Sequence, residues 1–203
     1  MKIICLEGCS GAGKTTQYNC LNKYFSDTSY KHLAVIEKNY EPFKTAVEKW
    51  YNEKGPLIPF TEQDVKNFAK ARAETFKNNF QPLEENLDLI IFDRYFYTSA
   101  VYQRSCGLSP EKILKINIEY GSPIPDITFF FDCNPEISFI RSEKRNKLTG
   151  KDHLFSINPQ KIAEIKKVYI NLISRRDEVI IINTEKSIEG ITKELISKME
   201  FIL

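Results

Sequence analysis

The sequence has few histidines, no close pair of cysteines and no long hydrophobic run. Its 203 residues include two histidines and five cysteines, none of which form a C-x-x-C pair. We therefore exclude a zinc site by spacing and expect all five thiols to be reduced. No apolar stretch approaches the roughly 18 residues that a membrane span needs, and no signal peptide precedes the first apolar run. The sequence predicts a cytoplasmic protein with no membrane partner.

An excess of charge of either sign is also absent. Lys and Arg number 29 against 27 Asp and Glu, which gives a net charge of +2. This balance does not favour binding to nucleic acid. A hydrophobic content of 42% and a charged content of 28% are ordinary for a globular protein. Because no repeat or linker interrupts the chain, we predict a single domain over residues 1–203.

Short apolar runs alternate with segments of helical period. A long helix is predicted from Thr61, its N-cap, to near Pro82, and another helix begins at Pro135. The runs that predict strands are Ile3–Leu6, Leu33–Ile36, Leu87–Phe92, Ile127–Phe131 and Val179–Ile182. We expect an α/β fold with a doubly wound, five-stranded parallel sheet, helices on both faces and ligands at the carboxyl ends of the strands.

The segment from Gly8 to Thr15 matches the phosphate-binding pattern G-x-x-x-x-G-K-[ST] at every fixed position. It follows an apolar strand and precedes an amphipathic helix, which is the context that the pattern requires. Its backbone N–H groups and the helix N-terminus favour phosphate, Lys14 would reach the β- and γ-phosphates, and Thr15 would ligate Mg²⁺. The residues predicted to bind ATP here are Gly8, Ser10, Gly11, Ala12, Gly13, Lys14, Thr15 and Thr16.

Asp93 ends the apolar run of residues 89–92, so it is expected at the carboxyl end of a buried strand, beside the phosphate-binding loop. A carboxylate there would help to fix the metal through water. We therefore predict Thr15 and Asp93 as the metal-binding residues.

The motif Asp93-Arg94-Tyr95 and the residues after it resemble the thymidylate kinase family. Thr98, Ser99, Tyr102 and Gln103 have the spacing of the family's S-x-x-A-Y-Q stretch, and Pro125-Asp126, Phe131-Asp132 and Pro135-Glu136 resemble a later block. The resemblance covers nearly the whole chain. It implies transfer of the γ-phosphate of ATP to dTMP with Mg²⁺, in a protein that forms a homodimer.

Phe68 and Arg72 lie four residues apart and share one face of the predicted long helix. An aromatic ring there could stack on a pyrimidine, and a guanidinium could grip its phosphate. The resemblance implies that Phe68 lies under the base and that Arg72 and Arg94 hold the monophosphate.

The resemblance extends this acceptor site. It implies that Ser99 and Gln103 face the base, and that Tyr102 favours deoxyribose by crowding the 2′ position. Glu41 and Pro42 match the end of the family's Arg-Glu-Pro motif and are included as substrate-binding residues.

A polar stretch at about 141–157 predicts a mobile lid. One class of the family carries a catalytic arginine in the phosphate-binding loop and another carries it in the lid. The variable positions of the phosphate-binding loop hold no arginine here, so the resemblance implies that a residue of the lid takes the catalytic role. Arg145 is the first candidate for this role, and Arg141 and Lys151 are the others. Arg141 is also predicted to bind ATP. The predicted catalytic set is Lys14, Asp93, Arg94 and Arg145.

Two positions depart from the family pattern. Ser10 stands where an acidic residue usually holds the 3′-hydroxyl, and Tyr40 replaces the arginine of Arg-Glu-Pro. Two other acceptors therefore stay open: another nucleoside monophosphate, or a deoxynucleoside, for which Glu37 or Glu41 would serve as the base. A nucleotide-binding regulator without turnover is the third alternative. The segment 183–186, which is not a guanine-reading N-K-x-D, is expected to border the adenine.

Overall fold

The sheet has five parallel strands. The computed structural model describes residues 1–55, 58–149 and 158–203. The strand order is β2-β3-β1-β4-β5, and all four neighbouring pairs are parallel. The strands are β1 (Lys2–Gly8), β2 (His32–Val35), β3 (Leu89–Asp93), β4 (Ile127–Asp132) and β5 (Val179–Asn183). Every predicted strand is present, with bounds that differ by one or two residues.

Helices cover both faces of the sheet, which confirms the doubly wound α/β fold. They are α1 (Lys14–Ser26), α2 (Phe43–Glu53), α3 (Glu62–Thr75), α4 (Phe96–Tyr102), α5 (Pro110–Glu119), α6 (Pro135–Thr149), α7 (Pro159–Ile173) and α8 (Ile188–Met199). Ile3 and Cys5 of β1 belong to the core shared with α3, α4, α5 and α7. Ile4 and Leu6 belong to the core shared with α1 and α8. Alternate residues of β1 therefore point to opposite faces of the sheet and pack into different cores.

The predicted long helix is interrupted. Thr61 is its N-cap, as predicted, and forms a capping box with Asp64. The α-helix ends at Thr75, and a π-helical turn (Phe76–Phe80) and a 3₁₀ turn (Gln81–Leu83) follow it. The prediction of one helix to near Pro82 was therefore wrong. The wider turn brings Phe80 to 1% exposure, with its ring centroid 5.5 Å from that of Phe92, so core packing decides the local geometry.

The parallel register collects the functional segments at one edge of the sheet. Leu6 pairs with Asp93, and Val35 pairs with Phe92, so the ends of β1, β2 and β3 lie side by side. The phosphate-binding loop leaves β1 at this edge and Arg94 follows β3 there. This is the edge at which ligands bind in open parallel sheets.

All five cysteines are free thiols. Within the described ranges, no helix is both long and apolar enough to cross a membrane.

Candidate active site

The phosphate-binding loop packs closely against α6. Gly11 has a φ of +80°, and a Cβ atom built on it would lie 2.0 Å from the backbone oxygen of Ser138. Only glycine allows this approach. Gly13, the N-cap of α1, has a φ of +98°, but a Cβ atom there would meet nothing within 4 Å. Gly11 is therefore required both by packing and by its backbone conformation, and Gly13 by its backbone conformation alone.

Lys14 is held inside this loop. Its side chain is 5% exposed, and Nζ donates to the carbonyl oxygen of Cys9 at 2.7 Å. Burial, followed by repulsion from Arg94, lowers the pKa of Lys14 to about 7. An anion bound in the loop would favour the charged form of this amine.

Thr15 and Asp93 meet as predicted. The Thr15 hydroxyl donates to Oδ2 of Asp93 at 2.8 Å, and both residues line the same cavity. Among the described residues, no group of three or more His, Cys, Asp or Glu side chains could hold a metal ion. A pair of oxygen ligands nevertheless fits Mg²⁺, which keeps several waters and takes its other ligands from substrate phosphates. The residues present are thus suitable for this ion.

Arg94 follows Asp93 in a left-handed backbone conformation, with a φ of +74°. Its Nη1 donates to the Gly8 carbonyl oxygen and to the Thr98 hydroxyl, each at 3.1 Å. The guanidinium carbon lies 6.0 Å from the centre of the Tyr102 ring. The side chain is therefore directed along the phosphate-binding loop.

A large cavity of about 790 Å³ opens at this edge of the sheet. Most residues predicted for the acceptor and for catalysis line it, which are Lys14, Phe68, Arg72, Asp93, Arg94, Ser99, Tyr102, Gln103 and Arg145. Ser10 and Thr15, which were predicted at ATP and the metal, line it as well. Glu41 and Pro42 do not line it. The Glu41 carboxylate instead accepts from the backbone N–H and the hydroxyl of Thr45 at the start of α2, so the structure does not bring these two predicted residues to the site.

One wall of the large cavity is aromatic. The rings of Trp50 and Phe60 are stacked, with centroids 4.2 Å apart and planes 3° apart. Phe60 and Phe43 each meet Phe68 edge to face at 5.8 Å. Only Phe68 was predicted in this wall. Phe43, Trp50 and Phe60 come from other segments of the chain, and their hydrophobic character alone does not separate a cavity wall from core.

Arg72 is paired with Glu37, which the acceptor-site prediction did not include. Nε donates to both carboxylate oxygens at 2.8 and 3.0 Å, and Nη2 donates to Oε2 at 2.8 Å. Nη2 also donates to Ser99 Oγ at 3.0 Å, and Nη1 donates to Asn117 Oδ1 at 2.6 Å. Four of the five guanidinium N–H groups are occupied. Gripping a phosphate would therefore compete with these contacts.

The buried position of the pair has an electrostatic consequence. Arg72 is 2% exposed and Glu37 is 5% exposed. Burial raises the pKa of Glu37, and the adjacent Arg72 charge opposes that shift. The two charges compensate each other in the wall of the cavity.

The two lid arginines on α6 face different cavities. Arg145 lines the large cavity, where Nη2 donates to Ser10 Oγ at 2.9 Å and to Ser142 Oγ at 3.2 Å. Arg141 lines a small cavity, and its Nη1 is 3.8 Å from Cys133 Sγ. Lys151, the third candidate, and the part of the predicted lid from 150 to 157 lie outside the described residues.

The small cavity, of about 190 Å³, lies along the other side of the phosphate-binding loop. It is lined by Ala12, Gly13, Thr16 and Arg141, which were predicted to bind ATP, and by Thr184 and Lys186, from the segment expected to border the adenine. The predicted ATP residue Ser10 lines the large cavity instead. The loop thus separates two cavities and contributes side chains to both.

Comparison with known proteins identifies the family of this chain. The model of the thymidylate kinase family matches residues 6–195. A probable thymidylate kinase of Pyrococcus horikoshii is 29% identical over 198 residues, covering 96% of this chain and 93% of that protein. A thymidylate kinase of Leptospira interrogans is 27% identical, covering 94% and 90%. A probable thymidylate kinase of Thermococcus kodakarensis is 29% identical over 98% of each chain. With a match from the end of β1 to the last helix, this chain belongs to the thymidylate kinase family.

Proposed function

We propose that this protein transfers the γ-phosphoryl group of ATP to dTMP, giving ADP and dTDP. The observation that carries this proposal is that Lys14 and Thr15 line the same large cavity as Asp93, Arg94 and the aromatic wall. A donor phosphate in the loop and an acceptor in the large cavity would therefore meet at the same side chains. The names of the relatives support dTMP as that acceptor.

The protein would act mainly by positioning the reactants and by neutralising charge. An ionised acceptor phosphate needs no strong general base. Lys14, Arg94 and Arg145 supply positive charge around the transferred group, and Arg141 would contact the donor from the small cavity. Thr15 and Asp93 would hold Mg²⁺, which when bound neutralises charge on the β- and γ-phosphates.

The large cavity has chemistry suited to a pyrimidine. Phe68 and the stacked Trp50–Phe60 pair offer flat apolar surface to a base. Gln103 is 4% exposed, and its Oε1 has no hydrogen-bond partner among the described residues. This acceptor suits the N3–H donor of thymine or uracil. Because Arg72 is compensated by Glu37, we assign the monophosphate to Arg94 rather than to Arg72.

We also propose that residues 1–203 form one kinase domain with a lid at about 141–157. The homodimer implied by the resemblance and the cytoplasmic location predicted from the sequence stay predictions.

Coupled measurement of ADP tests the proposal, with ATP and Mg²⁺ present and dTMP, dUMP, UMP, CMP, AMP, GMP or thymidine offered separately. We expect clear preference for dTMP, with ATP hydrolysis in the absence of acceptor as the background. Preference for thymidine would indicate a deoxynucleoside kinase, with the buried Glu37 as its base. Tight ATP binding with no turnover of any acceptor would contradict a kinase and favour a regulator.

A further inference from the structure

Glu7 is a buried carboxylate that the proposed chemistry does not use. It lies on β1, one residue before the phosphate-binding loop, and is 1% exposed. Its Oε1 accepts from the backbone N–H groups of Tyr95 at 2.9 Å and Thr98 at 3.0 Å. Its Oε2 accepts from the hydroxyls of Thr98 at 2.6 Å and Tyr169 at 3.2 Å. The Tyr169 hydroxyl also lies 3.0 Å from Thr98 Oγ1, so its single proton can go to Glu7 or to Thr98. Two backbone N–H groups and two hydroxyls therefore surround this carboxylate.

The hydroxyl of Thr98 connects this carboxylate to Arg94. A hydroxyl has a single proton, and the short distance of 2.6 Å indicates that Thr98 donates it to Glu7. The lone pairs of Thr98 Oγ1 are then available to Nη1 of Arg94, at 3.1 Å. The direction of the hydrogen bonds is thereby fixed, from Arg94 to Thr98 and from Thr98 to Glu7.

The backbone at Arg94 needs such support. A non-glycine residue with a φ of +74° is strained, and strain of this kind persists only where the surroundings hold it. The Arg94 N–H donates to the Leu6 carbonyl oxygen at 3.1 Å, and the next N–H, of Tyr95, donates to Glu7. Glu7 and its neighbour in β1 therefore hold the turn, while Thr98 holds the guanidinium.

We propose that Glu7 and Thr98 are positioning residues, which hold the Arg94 guanidinium beside the site of phosphoryl transfer. The inference rests on the proposed function for the role of Arg94, and it adds a residue on β1 and one on α4 to the machinery. Thr98 also lines the large cavity, so the hydrogen-bonded chain runs from the core directly to the site.

The test compares three variants. Thr98→Val keeps the shape of the side chain but removes the contact to Arg94. Thr98→Ser keeps the hydroxyl. Tyr169→Phe removes the hydroxyl that lies 3.2 Å from Glu7 and 3.0 Å from Thr98 Oγ1. It leaves the Thr98 hydroxyl and its contact with Arg94 in place, so it controls for the loss of bonds elsewhere in the network. For each variant we would measure kcat and KM for dTMP, the Kd for ATP and thermal unfolding.

We expect Thr98→Val to lower kcat by at least about tenfold, with the Kd for ATP within about threefold of the wild-type value. Thr98→Ser and Tyr169→Phe should each stay within about threefold of wild type in kcat. Equal losses in Thr98→Val and Tyr169→Phe that follow their unfolding temperatures would overturn the proposal, since that is the behaviour of a purely structural network. Unchanged kcat in Thr98→Val, or failure of Thr98→Ser to retain activity, would overturn it as well.

Two further measurements separate this inference from the proposed function. If the wild-type protein does not phosphorylate dTMP, the function is wrong, and crystal structures of wild type and Thr98→Val still decide whether the guanidinium of Arg94 leaves the Gly8 carbonyl oxygen. An unmoved guanidinium contradicts the positioning role. If Thr98→Val does not fold, Thr98→Ala replaces it in both measurements, with the same expected losses.

Discussion

The guanidinium of Arg72 binds the carboxylate of Glu37, which lies 35 residues earlier in the chain, through three N–H···O contacts of 2.8 to 3.0 Å. Glu37 begins the 3₁₀ turn (Glu37–Asn39) that follows β2, and Arg72 lies on α3, so the pair joins two segments that line the large cavity. Removing one member of a buried pair leaves the other as an uncompensated charge. The pair is therefore a sensitive place to test how the acceptor cavity is built.

We expect Arg72→Ala to lower the free energy of unfolding by about 3–5 kcal/mol. It should also raise KM for dTMP by at least about tenfold, because the uncompensated Glu37 carboxylate in the cavity wall would repel the phosphate of dTMP, and leave the Kd for ATP little changed. Urea denaturation and steady-state kinetics measure these quantities. Lys70→Ala is the control, because Lys70 lies on the same helix in an exposed pair with Glu74, which should contribute under about 1 kcal/mol. Equal loss of dTMP and ATP affinity in Arg72→Ala would contradict a role for the Arg72–Glu37 pair in the acceptor cavity alone.

Gly11 and Gly13 allow a matched test of the phosphate-binding loop in the absence of nucleotide. Gly13→Ala should cost only the strain of a left-handed residue, about 1–2 kcal/mol, since its Cβ would meet nothing within 4 Å. Gly11→Ala adds a collision with the Ser138 backbone at 2.0 Å, so its loss of stability should be distinctly larger. Thermal unfolding of both variants measures the difference. Equal losses of stability in the two variants would mean that α6 can move away from the loop at little cost in free energy.

Cys9 should be an unreactive thiol despite its place in the loop. Burial raises its pKa to about 11, with the Lys14 charge opposing the shift. Below this value the reactive thiolate fraction rises about tenfold for each pH unit, so alkylation of Cys9 should increase up to pH of about 11. Iodoacetamide labelling followed by mass spectrometry at about pH 8 should modify the partly exposed Cys20 and Cys106 first. Labelling of Cys9 as fast as Cys20 would contradict the buried environment.

Thr15 tests the proposed metal site. Thr15→Val removes the hydroxyl that lies against Asp93, and turnover should fall by at least about 100-fold with a higher requirement for Mg²⁺. Thr15→Ser keeps the hydroxyl and should retain most of the activity. Titration of turnover with Mg²⁺ for the two variants, and removal of the metal with EDTA, measure these effects. Wild-type turnover that survives EDTA would refute the metal assignment.

Arg145 and Arg141 should respond differently because they line different cavities. Arg145→Ala should lower kcat by about 100-fold or more, as expected for a group that neutralises charge at the transferred phosphate. Arg141→Ala should mainly raise KM for ATP. Initial rates at varied ATP and dTMP distinguish the two patterns. If Arg141→Ala gives the larger loss of kcat, Arg141 is the catalytic arginine of α6.

The strands were predictable because each one contains a short apolar run and the connections between them have helical period. The three central strands, β1, β3 and β4, are buried on both faces, whereas the edge strands β2 and β5 are only partly buried. The phosphate-binding loop was predictable because its chemistry is local. Gly8 to Thr15 are contiguous, so their spacing alone indicates that they bind phosphate. Asp93 could be placed beside them because parallel strands end at one edge.

The network behind the site was not predictable in this way. The Glu37–Arg72 pair and the contacts of Glu7 with α4 and α7 join residues that are far apart in the sequence. A single glutamate in an apolar strand carries no signal that backbone N–H groups and hydroxyls from other elements will converge on it. The π-helical turn after Thr75 was missed for the same reason, because the burial of Phe80 overrides the local helical period.

The phosphate-binding loop contributes residues to two cavities. Ser10, Lys14 and Thr15 border the large one, while Ala12, Gly13 and Thr16 border the small one. Lys14 and Thr15, the residues proposed to hold the donor phosphates and Mg²⁺, therefore lie on the acceptor side of the loop. The transferable end of the donor would be presented to the acceptor across the loop, while the small cavity is left for the rest of the donor. Substitutions that fill the small cavity should therefore weaken the binding of ATP and leave the affinity for dTMP unchanged.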